Sequence, residues 1–298
     1  MFKNLLVYAL RWDRSITAEH AERAASAAFV PCTPTQQESA GWVPPRGEKH
    51  GEFIEWIDGQ AIMKLCIEKR SVPSAAVKEE LEKRLDKIEA DTGRRPKGKK
   101  AKEIKEEVVH ELLPRAFAKR SNVPVWINQR AGLVMIGAGS TVAADRVASM
   151  LVDLLGGAIL TLLQTDIAPA TAMSIWLKTQ TAPPFFSIDR ECELRQPDGE
   201  KSVVRYNRHT LDIEEVREHI EQGKLPTQVA MTWNGRASFV LTEAGALKKI
   251  QLLDVALEGK GDDTTGFDAD VAIFTGEFKQ LLVDLIDALG GLLQPAAA

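Results

Sequence analysis

Between Arg94 and Lys102 the chain places six cations in nine positions, Arg94, Arg95, Lys97, Lys99, Lys100 and Lys102, with no acid among them. Helical spacing brackets the run. Val77, Leu81, Leu85 and Ile88 recur on one face before it, and Ile104, Val108 and Leu112 recur on one face after it. Gly93, Pro96 and Gly98 break both patterns at the run itself. These features predict an αα-hairpin from Ser74 to Leu113, with its apolar stripes packed together and its turn carrying the charge. The whole chain has a formal net charge of -4, so the basic run is local rather than compositional. A projecting turn of this kind suits a polyanion, nucleic-acid phosphate above all. The competing reading is a solvated, lysine-rich surface loop.

With 298 residues the chain can build two or three modest domains, and 44% hydrophobic with 27% charged residues is ordinary for a folded protein. Its cysteines, Cys32, Cys66 and Cys192, are odd in number and far apart, which argues for a reducing compartment and against a disulfide framework. The apolar start, Leu5 to Leu10, reads as a buried strand rather than a signal peptide, and no stretch approaches a membrane span. Ser15 to Phe29 reads as an amphipathic helix capped by Ser15 or Thr17. Pro31 to Gly47, with four prolines and two glycines, reads as a structured loop. Strand pairs are expected over Phe53 to Ile67, turning at Asp58-Gly59, over Val125 to Gly137, turning between Asn128 and Gly132, and over Val229 to Leu241, turning at Asn234-Gly235. A helix with Val142, Arg146, Met150 and Leu154 in register should end at Gly156-Gly157. Pattern is lost from Leu247 to Gly266, and a last helix runs from Gly276 to Leu289. Trp56, Trp126 and Trp233 each precede a hairpin turn. Either a ββα unit repeats, or tryptophan simply favours half-buried strands. The fold class is α+β: antiparallel hairpins packed with helices.

The sequence offers little to an enzyme. Leu133 to Gly139 is a strand running into a glycine-rich turn, the context of a dinucleotide fingerprint, but Val142 stands at the third glycine position. A nucleotide-dependent enzyme using Gly137-Ala138-Gly139 is therefore the runner-up. No phosphate-binding G-x-x-x-x-G-K-[ST] sequence, paired cysteines or H-E-x-x-H motif occurs, so neither a cofactor nor a metal is expected. Arg205-Tyr206-Asn207-Arg208-His209 adds a second basic loop ahead of a helix from Asp212 to Gln222.

Six segments together carry a resemblance. They are Phe2-Lys3-Asn4-Leu5, Phe29-Val30-Pro31-Cys32, Gly41-Trp42-Val43-Pro44-Pro45, Leu112-Leu113-Pro114-Arg115-Ala116-Phe117, His219-Ile220-Glu221-Gln222-Gly223-Lys224, and Phe267-Asp268-Ala269-Asp270 with Thr275-Gly276-Glu277. The chain resembles the RdgC family of bacterial recombination-associated proteins along nearly its full length. That resemblance implies a cytoplasmic, nucleoid-associated, non-enzymatic protein that needs no cofactor. It would bind double-stranded DNA with little sequence preference, single strands being left open, and would limit the recombinase RecA. It implies an elongated subunit forming a ring-shaped homodimer around DNA. A central domain (1–73 and 118–178), a helical tip (74–117) and a base (179–298) with a finger loop near 203–211 would make up the subunit. Arg94 falls on a DNA-binding cation of the family and Phe117 on a ring-closing contact. Arg208 and His209 fall on a finger that approaches DNA, where the family has Lys and Gln.

Overall fold

The computed structural model describes residues 2–48, 50–197, 202–257 and 266–293. The chain is α+β, with antiparallel sheets and eight α-helices among the described residues. It divides into two units. One comprises Met1–Ala21, Pro44–Met63 and Pro124–Ala298; the other comprises Glu22–Val43 and Lys64–Val123. Strands β4 (Gln60–Arg70) and β5 (Ala118–Asn128) contribute residues to each. Among the described residues no helix is long and apolar enough to cross a membrane.

In the first unit the expected opening strand is β1 (Leu6–Arg11). It lies between β6 (Leu133–Ile136) and β7 (Ile159–Leu162), antiparallel to both, and β6 pairs in turn with β5 through Val125–Asn128. β3 (Glu55–Ile57) turns back on β4 at Asp58-Gly59, as the turn residues predict. A second sheet has the order β12 (Leu247–Leu252), β11 (Ala237–Thr242), β10 (Leu225–Trp233), β8 (Phe186–Arg195) and β9 (Val203–Asn207). Asn234 and Gly235 sit at φ 45° and 62°, which a two-residue I′ turn requires. Reciprocal backbone bonds of 2.8 and 2.9 Å join Leu5 to Leu247.

Helix α8 (Phe267–Ala288) ties this unit together. Phe278, Leu281, Leu282, Leu285 and Leu289 are buried as their spacing predicts. Phe274 stacks on Phe278 (centroids 4.1 Å) and Phe2 (4.9 Å), and meets the edge of Trp126 at 6.4 Å. The Trp233 indole donates to Asp284 Oδ2 at 2.8 Å, and Arg236 grips Glu277 with two bonds of 2.6 and 2.7 Å. At the start of α8, Arg46 bonds Glu55 (2.8 Å) and Asp268 (2.6 Å) and lies 5.1 Å from the Phe267 ring centroid. The segment following Gly41-Trp42-Val43-Pro44-Pro45 thus clasps the Phe267-Asp268-Ala269-Asp270 segment.

In the second unit β2 (Glu38–Val43) pairs antiparallel with β4 over Lys64–Lys69. This strand falls inside the stretch expected to be a loop. Gly41 explains it: a Cβ there would lie 2.4 Å from the Phe29 Cα, so glycine lets the two backbones touch while Trp42, 1% exposed, fills the core. Helices α2 (Ser74–Thr92) and α3 (Lys99–Leu112) pack together, with Val77 and Leu85 buried on the first and Ile104 and Val108 on the second.

Several other expectations give way. Helix α1 is shorter than expected (Ala18–Ser26), preceded by Thr17, whose N–H donates to the ring of His20. In α4 (Thr141–Leu155) Val142 is 66% exposed, and the buried face is Ala144, Val147, Leu151, Leu154 and Leu155. Ser140 caps the helix and Gly156 ends it. Leu247 to Gly266 is not patternless, since it contains β12 and the short α7 (Asp254–Leu257); residues 258–265 lie outside those described. α8 begins nine residues before Gly276. The three tryptophans are not equivalent: Trp126 and Trp233 are buried, Trp56 is half exposed, and strand β12 rather than a helix follows the third hairpin. The three hairpins therefore do not share a ββα unit among the described residues.

Candidate nucleic-acid interface

α2 ends where Gly93, at φ 68°, donates its N–H to Glu89 O at 2.8 Å. This left-handed closure suits glycine. Gly98, at φ 58°, reverses the chain into α3. The expected basic turn is therefore a short loop, with Arg94, Arg95 and Lys97 in it and Lys99, Lys100 and Lys102 in the first turn of α3. Across the two helices Arg84 pairs with Glu111, raising the arginine pKa and lowering the carboxyl.

The six cations are not alike. Arg95 reaches back onto α2, where Glu82, Asp86 and Glu89, spaced i, i+4, i+7, surround its guanidinium. Hydrogen bonds to Asp86 and Glu89 raise its pKa above the already high arginine value. Its charge is met within the unit, where these ion pairs brace the turn. Lys99 has a distant partner, Glu103 at 3.9 Å. Arg94, Lys97, Lys100 and Lys102 are exposed and have no ion-pair partner within 4.0 Å among the described residues.

The position of the lysines matters. The first turn of α3 holds no acid, and its N-cap, Gly98, offers no side chain. Lysines at the positive end of a helix oppose the macrodipole, each at a cost of about 0.3–1 kcal/mol when exposed. Their fields add to the unsatisfied N–H groups there, so the arrangement disfavours an isolated helix and favours a bound anion. Outside 94–102, the segment 74–117 has six cations and ten acids, so net positive charge is confined to the tip of the pair.

Phe117 follows a single 3-10 turn, Leu113–Arg115, and is 96% exposed. Its backbone is held firmly: Arg70 Nη1 donates to Ala116 O at 3.1 Å, and Ala116 N to Leu113 O at 3.0 Å, while Leu113 is buried. Arg70 was missed in the sequence because nothing local marks an arginine that bonds a carbonyl 46 residues away. The acids that hold Arg95 were visible in principle through their spacing on one face of α2. Nearby, the buried Glu68 accepts from Cys32 N at 2.7 Å and pairs with Arg120 at 2.5 Å; Arg120, then the backbone bond, holds its pKa below the ordinary carboxylate value. That carboxylate anchors Phe29-Val30-Pro31-Cys32.

In the other unit the expected finger loop is largely a strand. Residues 203–207 form β9, the outer strand of its sheet. Arg205 is committed to Glu193 at 2.7 Å, and that pairing, with a Thr227 hydroxyl bond, lowers the Glu193 pKa. Arg208 and His209 follow the strand, both exposed. Arg208 adopts φ 54°, and His209 N bonds Arg190 O at 3.2 Å. Arg94 and Arg208 belong to separate units.

The nucleotide reading loses its premise. β6 is antiparallel to β1 and β5, so no βαβ unit precedes Gly137-Ala138-Gly139. A Cβ on Gly137 would lie 2.6 Å from Pro124 Cγ and 2.9 Å from Phe2 Cδ1, which makes this glycine a packing residue. Among the described residues no group of three or more His, Cys, Asp or Glu side chains is arranged to hold a metal ion.

A family model described as "Putative exonuclease, RdgC" matches residues 1–292. Curated relatives cover nearly the whole chain. The recombination-associated protein RdgC of Janthinobacterium sp. (strain Marseille) is 40% identical over 295 residues, covering 97% of this chain and 98% of its own. Those of Herminiimonas arsenicoxydans and Dechloromonas aromatica (strain RCB) are each 39% identical, with 97% of this chain covered and 98% and 97% of theirs.

Proposed function

The chain belongs to the RdgC family, and on that premise we propose that it binds double-stranded DNA without sequence preference and acts in recombination by limiting RecA. The observation that carries the proposal is the set of four cations, Arg94, Lys97, Lys100 and Lys102, that have no ion-pair partner among the described residues and gather at the positive end of α3. Phosphate contacts of this kind position a protein on DNA without reading bases. Arg208 and His209 serve as a second contact. Phe117, fully displayed on a braced backbone, is the surface through which two copies close a ring around the duplex, and the protein resides on the nucleoid. The reading of Phe117 as a contact follows from its place in the Leu112–Phe117 segment shared with the family, and its 96% exposure leaves the ring available for one.

The protein acts by binding, not by cleavage. The competing reading is the exonuclease of the family description. Two-metal nucleic-acid hydrolysis needs side chains that hold two metal ions about 4 Å apart, whereas on the tip Glu82, Asp86, Glu89 and Glu111 are engaged with arginines. The experiment is a binding titration with random-sequence duplex, beside incubation of end-labelled DNA with Mg²⁺ or Mn²⁺. Salt-sensitive binding of intact DNA is expected. Release of nucleotides by purified protein, lost on mutation of its own acids, would overturn the non-enzymatic reading. Salt-insensitive or absent binding would overturn the DNA reading itself.

A further inference from the structure

In the first unit, away from the tip, two turns and a helix close around a cationic notch. The Asp58-Gly59 turn of the β3–β4 hairpin, the turn from Asn128 to Ala131 at the end of β5, and Lys279 of α8 line a space of about 270 Å³. Its walls are fixed. Gln60 is buried, accepts from the Trp126 indole at 2.8 Å and donates to Asp58 O at 3.4 Å, so the first turn is tied to the core. Asn128 Oδ1 accepts from Ala131 N at 3.1 Å and Gln129 Nε2 donates to Arg14 O, which holds the second turn. The groups left over are donors. Arg130 and the half-buried Lys279 have no ion-pair partner within 4.0 Å among the described residues, and the Asn128 amide group has no acceptor among them. Asp58 is the only acid lining the notch, so its net charge is positive. Gly276 stands one turn before Lys279 on the same face of α8. It is exposed, and a Cβ there would meet nothing within 4 Å. Packing among the described residues therefore does not call for glycine at this position, and glycine is a poor residue for a helix interior.

We propose that this notch seats a backbone phosphate of DNA, held by Arg130, Lys279 and the Asn128 amide, with the adjoining sugar passing over Gly276. The chemistry selects the ligand. Two cations and a neutral donor suit the charged oxygens of a phosphodiester. A helix face without a side chain beside them lets the neighbouring sugar come close. The contact rests on the nucleic-acid reading above and adds to it a phosphate site in a different unit from the basic turn.

Titration of the full chain with a random-sequence duplex over a range of salt concentrations tests it with three variants. Arg130→Gln with Lys279→Gln should lower the slope of log K against log salt by about 0.9, the value of one phosphate contact on duplex DNA. Asp58→Asn keeps the left-handed turn, because Asn-Gly is a preferred I′ pair, and removes the only acid of the notch. It should tighten binding about 1.4- to 5-fold, the range of one exposed charge pair. Gly276→Gln separates geometry from charge. It adds no charge, meets nothing in the protein's own structure and improves helix propensity, so the urea midpoint should rise. The new side chain stands in the path of the sugar, so DNA affinity should fall about tenfold, as on losing one hydrogen bond to a charged group. An unchanged salt slope in the double variant, weaker binding by Asp58→Asn, or a Gly276→Gln variant with wild-type affinity would overturn the proposal. Salt-sensitive binding by wild type that all three variants reproduce overturns this site alone, whereas wild-type protein that binds no duplex overturns the DNA reading as well.

Discussion

Simultaneous replacement of Arg94, Lys97, Lys100 and Lys102 by alanine isolates the charge that the tip has available for a ligand. Each phosphate contact on duplex DNA contributes about 0.9 to the slope of log K against log salt, so losing four should flatten the slope by about 3.6. Between 50 and 200 mM salt, a fourfold change, that slope difference corresponds to roughly two decades of affinity. Arg95 behaves differently because Glu82, Asp86 and Glu89 already neutralise it. Arg95→Ala should leave the slope within about half a unit of wild type. It should lower affinity only through the three carboxylates it leaves uncompensated beside the turn. The assay is a fluorescence-anisotropy titration of a random 30-mer duplex at five salt concentrations for wild type, the quadruple variant and Arg95→Ala. A wild-type slope in the quadruple variant would remove the turn from the DNA surface. A loss of a full unit in Arg95→Ala would show that the acids do not occupy that arginine in solution.

Three further outcomes follow from particular contacts. Phe117→Ala should shift unfolding by less than about 0.5 kcal/mol, as an exposed position does, while weakening self-association in sedimentation; a loss of the roughly 3–5 kcal/mol typical of a core phenylalanine would contradict its exposure. Gly137→Ala should destabilise by about 1–3 kcal/mol in urea, because the new methyl group meets Pro124 and Phe2 with no room to move; an unchanged midpoint would refute the packing role. Glu193 has a pKa held below its ordinary 4.5, first by the hydrogen bond from Arg205, so its stabilising contribution is complete above pH 4.5 and is lost as pH falls through the lowered value. Urea midpoints should therefore fall below pH 4.5 more steeply for wild type than for Glu193→Gln; parallel curves would reject the linkage.

What the sequence disclosed divides along the range of the forces involved. Local signals survived: Asp58-Gly59 and Asn234-Gly235 turn the chain, Gly93 and Gly98 bound the charged turn, and the α8 stripe is buried at its predicted positions. Long-range pairing overrode local signals elsewhere. The Gly41-Trp42 strand looks like a loop because its neighbours are prolines, and only its register with β4 and the close approach of Phe29 make it a strand. β7, α5 (Pro169–Thr179) and β8 go unread although signals are there: Gly156-Gly157 precedes β7, Pro169 opens α5 and Pro183-Pro184 precedes β8. α4 was read with Val142 in its apolar register, an error that moves the whole face. At the candidate interface the cations were legible as a group, but their availability was not. Whether an arginine is spent on carboxylates, as with Arg95 and Arg205, or left open, as with Arg94, depends on where distant side chains fall.

Encirclement of DNA is tested most directly by topology. Protein loaded at low salt onto closed circular plasmid, and onto the same plasmid linearised, is washed at high salt, where phosphate contacts are screened. A closed ring should stay on the circle and slide off the linear ends, and Phe117→Ala should abolish the difference while leaving low-salt affinity nearly intact. Equal loss from both forms, or a difference that survives Phe117→Ala, would contradict a ring closed through that residue.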